Sequence, residues 1–407
     1  MPPEAVSLHS RTPHPRTPAP TRHSNMLTLI ENGDVYAPEH LGEQSILLVD
    51  GKVGRIGEVD RDALDRIGLD VDVIDASDCI VCPGFIDPHE HLLGGSGEEG
   101  FATQTPEIQL SEIVTAGITT VVGTLGVDTT MKTMAGLLAK AKALREEGLT
   151  AYLWSGGYNV PPTSIMSSVR EDMMFIDEVI GAGEVAIADE RAMEPSIREL
   201  AKLVVDARMG GKLSGKAGVT HFHVGPGKRR MKCLEDMLDC EQFEIDPCWL
   251  YPTHVERSET LMRDAIALTK RGCHVDIDVQ EEDLARWLTF YVEHGGDLAK
   301  LTVSSDASKK GPSTLFEQLR NCARGHRLPL PELLGLVTCN TADVLALDQK
   351  GRIQYGAHGD LLVIDKGEFR LVHVLARGKR MVHDGELATR ERFLEGSNRQ
   401  IALVGDE

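Results

Sequence analysis

The stretch Pro83-Gly84-Phe85-Ile86-Asp87-Pro88-His89-Glu90-His91 decides the reading of this chain. Its apolar start reads as a β-strand, and side chains along a strand alternate between two faces. His89 and His91 therefore point to one side, where two imidazoles can share a divalent cation. Such a pair means little alone, because paired histidines also sit in loops that bind nothing. Its weight depends on what the rest of the chain brings to the same place.

Moving outward, apolar β-rich runs at residues 85–86, 117–122, 151–154, 185–187, 219–224, 249–251, 275–279 and 301–303 give eight strand candidates. Helical patterns such as 134–147, 194–209 and 258–271 lie between them. That alternation is the rhythm of an α/β fold, a (β/α)8 TIM barrel, over residues 83–347. Residues 26–82 and 348–407 have another texture, of short strands separated by turn signals such as Asn32-Gly33-Asp34 and Asp50-Gly51-Lys52. The matching flanks predict one small β-sandwich domain built from both chain ends, with the barrel inserted between them. Residues 1–25, rich in Pro, Ser, Thr, Arg and His, read as a disordered tail, with Met26 as an alternative start.

Composition narrows the class of function. With 41% hydrophobic and 26% charged residues, the 407-residue chain has ordinary globular material for a large core. Its net charge of −20 would repel phosphate backbones and anionic lipid, so neither nucleic acid nor membrane is expected as a partner. No apolar run approaches the roughly 18 residues needed to cross a bilayer. The eight cysteines follow no disulfide framework, which points to a reducing, cytoplasmic setting. Cys79 and Cys82 form a CxxC without a second pair at zinc-ribbon spacing, and read as buried strand residues.

Four more residues join the HxH pair. His223 ends the run beginning at Val219, His254 ends the run through Trp249 and Tyr251, and Asp306 follows Thr302 to Ser305. Glu184 stands just before Val185-Ala186-Ile187. The C-terminal ends of barrel strands are where such folds gather catalytic groups. Four histidines and two carboxylates suit zinc or manganese. Taken singly, Asp306 could merely cap a helix, and His221 and His274 read as core histidines.

This constellation resembles the amidohydrolase superfamily and, within it, the isoaspartyl (β-aspartyl) dipeptidases. The resemblance covers nearly the whole chain from Met26. It includes Gly94-Gly95-Ser96-Gly97-Glu98, Gly157-Tyr158-Asn159-Val160-Pro161, Asp189-Glu190-Arg191 and Pro252-Thr253-His254-Val255-Glu256-Arg257. It implies metal ligation by His89, His91, Glu184, His223, His254 and Asp306, with two Zn2+ per chain or other divalent metals in their place. It further implies that Glu98 holds the substrate ammonium, that Arg191 and Arg257 hold its carboxylates, and that Tyr158 stabilises the carbonyl oxygen. These charges agree with a β-aspartyl dipeptide, which carries one ammonium and two carboxylates.

Three positions depart from the family. Glu184 stands where a carbamylated lysine is usual, Lys310 where a serine is usual with Ser308 nearby, and Val127 where threonine is usual. The implied reaction is hydrolysis of the isopeptide bond of a small dipeptide by metal-bound hydroxide, with Asp306 handling its proton. Another amidohydrolase activity, on a cyclic amide or an N-acyl amino acid, is the alternative, and a non-catalytic binding protein on the same fold is the third reading. A homo-oligomer is implied by the resemblance alone.

Overall fold

The structure, a computed structural model, describes residues 26–398 apart from 67, 281 and 282. The predicted tail at 1–25 and the last residues, 399–407, lie outside the described residues. The chain opens with β1 (Leu27–Tyr36), β2 (His40–Val49), β3 (Lys52–Ile56), β4 (Val71–Asp75) and β5 (Cys79–Pro83). Eight strands follow among the described residues: β6 (Phe85–Glu90), β7 (Ile118–Gly123), β8 (Thr150–Ser155), β9 (Val179–Ile187), β10 (Val219–Val224), β11 (Leu250–Thr253), β12 (Val275–Asp278) and β13 (Leu301–Ser304). The chain then returns through β14 (Leu361–Asp365), β15 (Arg370–Ala376), β16 (Lys379–His383) and β17 (Glu386–Leu387).

Strands β6 to β11 pair in parallel in chain order, and β12 pairs in parallel with β13. The ring closes by side chains and single bridges. Thr253 Oγ1 on β11 donates to Asp276 Oδ2 on β12 at 2.8 Å. Across the opposite seam the His91 backbone N–H donates to Ala307 O at 2.9 Å, and Ser305 N–H donates to the Asp87 carboxylate at 3.2 Å. Helices cover the outside, so these strands are buried on both faces, which is why they read as short apolar runs without alternation.

Two helix bounds show the local chemistry at work. The helix expected from 194 begins instead at Ile197, because Pro195 and Ser196 precede it and Ser196 forms a capping box with Glu199. It also runs past 209 to Ser214, through Gly210 and Gly211. A Cβ on Gly210 would meet Met173 Cβ at 3.0 Å, so the glycines let this helix press against Val169–Phe175.

The two chain ends join in one mixed sheet ordered β17-β16-β15-β14-β5-β1-β2-β3, with β4 beside β1. Alternation along β5 and β14 explains how this sheet serves two cores. Val81, Leu361 and Val363 turn toward Ile30, Ile46 and Leu48 on the inner face. Ile80, Cys82, Leu362 and Ile364 turn the other way, into the core shared with Phe85 and Ile118 of the barrel. Cys79 and Cys82 are buried and unpaired as expected, and they face opposite sides of β5, where no single ion could reach both. The Asn32-Gly33-Asp34 turn signal is corrected. Glu31 and Asn32 form a bulge inside β1 opposite Ser45, and Gly33 and Asp34 continue the strand, Gly33 where a Cβ would come within 2.4 Å of Val81 Cγ2. Among the described residues no helix is long and apolar enough to cross a membrane.

Candidate active site

Each residue expected to carry the chemistry except Glu98 lies on or just past the C-terminal half of a barrel strand. His89 is within β6, His91 just past it, and His223 is in β10. His254 and Asp306 follow β11 and β13 with left-handed backbones, φ 64° and 46°, a conformation rare for residues with side chains and one that clusters at functional sites. Tyr158 lies beyond β8 and is buried.

Glu184 requires a correction to its place. The sequence suggested a residue in front of a strand at 185, but β9 begins at Val179 and Glu184 is inside it. Gly181 and Gly183 disguised the first half of the strand. Here two residues of β9, Gly183 and Glu184, lie between the pairs Ala182–Thr220 and Val185–Phe222, opposite the single residue His221. This is a bulge, with Gly183 at φ +146°. A Cβ on Gly183 would stand 2.9 Å from both the Cβ and the carbonyl oxygen of His221. A bulge of this kind re-aims a side chain, here that of Glu184.

The consequence is a shared carboxylate. Glu184 Oε2 lies 3.2 Å from His89 Nε2, while Oε1 lies 2.6 Å from His223 Nδ1 and 3.2 Å from His254 Nε2. Asp306 Oδ1 completes the first side, 3.4 Å from His89 Nε2 and 3.1 Å from His91 Nε2. Two groups of ligating atoms, His89 with His91 and Glu184, and Glu184 with His223 and His254, each gather within 4.8 Å. Glu184 is their common member.

These donors fit divalent cations by their own unmet needs. His89 Nε2, Glu184 Oε2 and Asp306 Oδ1 are fully buried without a hydrogen-bond partner, although buried polar atoms normally find one. Burial alone would raise the Glu184 carboxyl, but His89 and His223 outweigh it and hold it well below the usual carboxylate range. Burial would likewise lower His89, yet Glu184 and Asp306 drive it up to about 10. The cavity favours positive charge at its centre.

Outer partners orient the imidazoles. His223 Nε2 lies 3.0 Å from Asp189 Oδ2, and His254 Nδ1 lies 2.5 Å from Asp278 Oδ2. Asp189 and Asp278 were not singled out as supports, although Asp278 ends β12 and the rule that found Asp306 applies to it equally. His221, expected to be a core histidine, is buried as such and also touches the site, with Nε2 3.0 Å from His89 Nδ1. His274 is buried, and no described hydrogen bond ties it to these ligands.

The groups expected to face the substrate form a charged rim. Arg191 is held by Asp189 through Nε and Nη2 at 2.8 and 2.7 Å and donates from Nη1 to Glu98 Oε1 at 2.7 Å. Arg191 and Glu98 therefore neutralise each other in this structure. Arg257 Nη1 donates to Val224 O at 2.9 Å and lies 3.8 Å from Asp189 Oδ2. The Tyr158 hydroxyl is 2.8 Å from His223 Nδ1, and burial followed by the Glu184 charge keeps it un-ionised, well above its ordinary range. Lys310 turns to the carbonyl of Gln280.

A parallel barrel whose strand ends present these histidines and carboxylates is the amidohydrolase architecture. Solved structures agree on the fold: a D-hydantoinase, 17% identical at TM-score 0.62 over 89% of this chain and 97% of its own, and an enamidase of the amidohydrolase superfamily, 18% identical at TM-score 0.63 over 90% and 98%. Two structures of β-aspartyl dipeptidase from Fervidobacterium islandicum AW-1 are far more similar. One is 36% identical at TM-score 0.84 over 89% of this chain and 99% of its own; the other, 35% identical at TM-score 0.84 over 90% and 98%, holds a β-Asp-Leu dipeptide. The chain belongs to the β-aspartyl dipeptidase family. Curated relatives match only locally: D-hydantoinase of Geobacillus stearothermophilus is 43% identical over 67 residues, 16% of this chain and 13% of its own length. Imidazolonepropionase of Geobacillus thermodenitrificans is 38% identical over 94 residues, 23% of this chain and 20% of its own. No protein-family model matches the chain.

The bulge yields a direct test. Gly183→Ala is expected to lower stability by about 1–3 kcal/mol, the cost of a side chain in a sparsely populated backbone region, and to reduce bound zinc by displacing Glu184. Thermal unfolding and metal analysis check it; unchanged values for both would contradict the role given to Gly183.

Proposed function

We propose that the chain hydrolyses the β-aspartyl amide bond of small dipeptides at a two-zinc site bridged by Glu184. The observation that carries this reading is the position of the Glu184 carboxylate, one oxygen facing His89 and the other facing His223 and His254. His89, His91 and Asp306 would hold one cation and His223 and His254 the other, with Glu184 common to both. When bound, the cations supply a nucleophilic water at neutral pH and polarise the scissile carbonyl.

The remaining work falls to the chain's own side chains. Burial would raise the Asp306 carboxyl, but His89 and His91 hold it low and ionised, so it can take the proton of the attacking water. Asp306 then returns that proton to the leaving amine as the C–N bond breaks, so one water is consumed and one acid and one amine are formed. The Tyr158 hydroxyl donates to the carbonyl oxygen as it gains negative charge. The hydroxyl lies 2.8 Å from His223 Nδ1, the nitrogen that also faces Glu184 Oε1 at 2.6 Å, which sets it at the edge of the ligand cluster.

Glu98, Arg191 and Arg257 supply charge complementarity to one ammonium and two carboxylates. Substrate ends would exchange into the Glu98–Arg191 pair, replacing one ion pair by two. Arg257, without a bidentate carboxylate partner of its own, is the freer anchor. We place the protein in the cytoplasm as a homo-oligomer, on the support of eight unpaired cysteines for the first and of the family for the second.

Turnover of β-aspartyl dipeptides with at least about 100-fold lower kcat/KM for the α-aspartyl isomers is expected, because the three charged anchors fix the distance between the substrate's ends. Comparable turnover of both isomers, or preference for a cyclic amide, would overturn the substrate assignment. Asp306→Asn should lower kcat by about 100-fold or more, the usual contribution of a positioned acid–base group. Substantial activity at saturating zinc would move the proton transfer to another residue.

A further inference from the structure

His221 is not one of the ligands, yet its surroundings are unusually specific. It lies on β10, buried, opposite the Gly183–Glu184 bulge. Its ring stacks on Trp154 with centroids 5.0 Å apart and planes inclined by 16°. Nδ1 lies 2.9 Å from the backbone carbonyl of Tyr251, and Nε2 lies 3.0 Å from His89 Nδ1. Among the described residues no carboxylate hydrogen-bonds to it, and burial disfavours a charge on the ring.

The direction of these hydrogen bonds follows from one fact. A carbonyl oxygen can only accept, so His221 Nδ1 carries the proton that it donates to Tyr251 O. In the neutral ring Nε2 is then bare and accepts, and the proton between the two histidines belongs to His89 Nδ1. His89 Nε2 is thereby left on the inner side, facing Glu184 Oε2 and Asp306 Oδ1, as an atom with no other partner. The outer nitrogens of His223 and His254 meet carboxylates, Asp189 and Asp278. At His89 the corresponding partner is another imidazole, itself fixed by the backbone.

We infer that His221 is a positioning residue that relays the Tyr251 carbonyl to His89, fixing the His89 ring with Nδ1 protonated and Nε2 directed at the first cation. The inference rests on the two-cation reading given above. It extends that reading by assigning the occupancy of one cation to a side chain that ligates neither. The Trp154 stack and the carbonyl hold the His221 ring plane; the His89 ring inherits its orientation from it. Outer partners of this kind are commonly worth 10–100-fold in metal affinity.

Two measurements test it. In metal-free wild-type protein labelled with 15N-histidine, the His221 ring should show a protonated Nδ1 and a bare Nε2, identified by the signals lost in His221→Gln. A proton on Nε2 would overturn the relay, whatever the metal content. Zinc titration against a chromophoric chelator should then show His221→Phe losing 10–100-fold in affinity at one of two sites and little at the other. His221→Gln, which keeps an acceptor for His89, should recover most of the loss. Undiminished affinity at both sites in His221→Phe, or equal losses in both variants, would reduce His221 to a packing residue. A wild type that binds no zinc would defeat the two-cation reading, while the tautomer measurement would still decide the relay.

Discussion

One carboxylate facing two sets of imidazoles is the constraint on which the rest of this site depends. Glu184 must reach His89 with one oxygen and His223 with His254 by the other, from inside a wall of eight strands. A carboxylate buried without counter-charge would lose its proton only at high pH or destabilise the fold. Here the histidines hold it ionised, and it in turn raises the charge affinity of His89. The same field that would make this cavity costly to fold alone suits it to divalent cations.

The barrel answers this constraint from below and around. Beneath the site, Asp276 Oδ2 accepts from Thr253 and Ser304 at 2.8 and 2.5 Å, and Oδ1 from Thr302 at 2.5 Å, so the last strands are stitched by a polar cluster where apolar filling is usual. The seam between β6 and β13 is tied by Asp87, whose carboxylate also accepts from the His89 backbone N–H at 3.1 Å. Closure of the barrel and placement of the HxH pair are thus one event. The small mixed sheet packs its β5 and β14 against the same barrel, burying Ile80, Cys82, Leu362 and Ile364, each contributing on the order of 1–3 kcal/mol of apolar burial.

Much of this was legible in the sequence, for identifiable reasons. Strands buried on both faces leave short apolar runs, and residues 219–224 coincide with β10 while residues 301–303 fall within β13. Histidines and acids at the ends of such runs stand out because those positions would otherwise be apolar. Glu184 was misplaced because a bulge with two glycines lacks the side chains by which a strand is read. Asn32-Gly33 misled because a glycine that follows a bulge, where Val81 leaves no room for a Cβ, looks like one that makes a turn. The role of His221 was hidden altogether: its partner is 132 residues away in the chain, and only folding shows that the two rings meet.

The bridging position of Glu184 is tested most directly by anomalous diffraction at the zinc edge from crystals of the zinc-loaded protein. Two peaks are expected, one between Glu184, His89, His91 and Asp306 and the other between Glu184, His223 and His254. A single peak, or two peaks with the Glu184 carboxylate turned away from either, would contradict a site built on one shared glutamate.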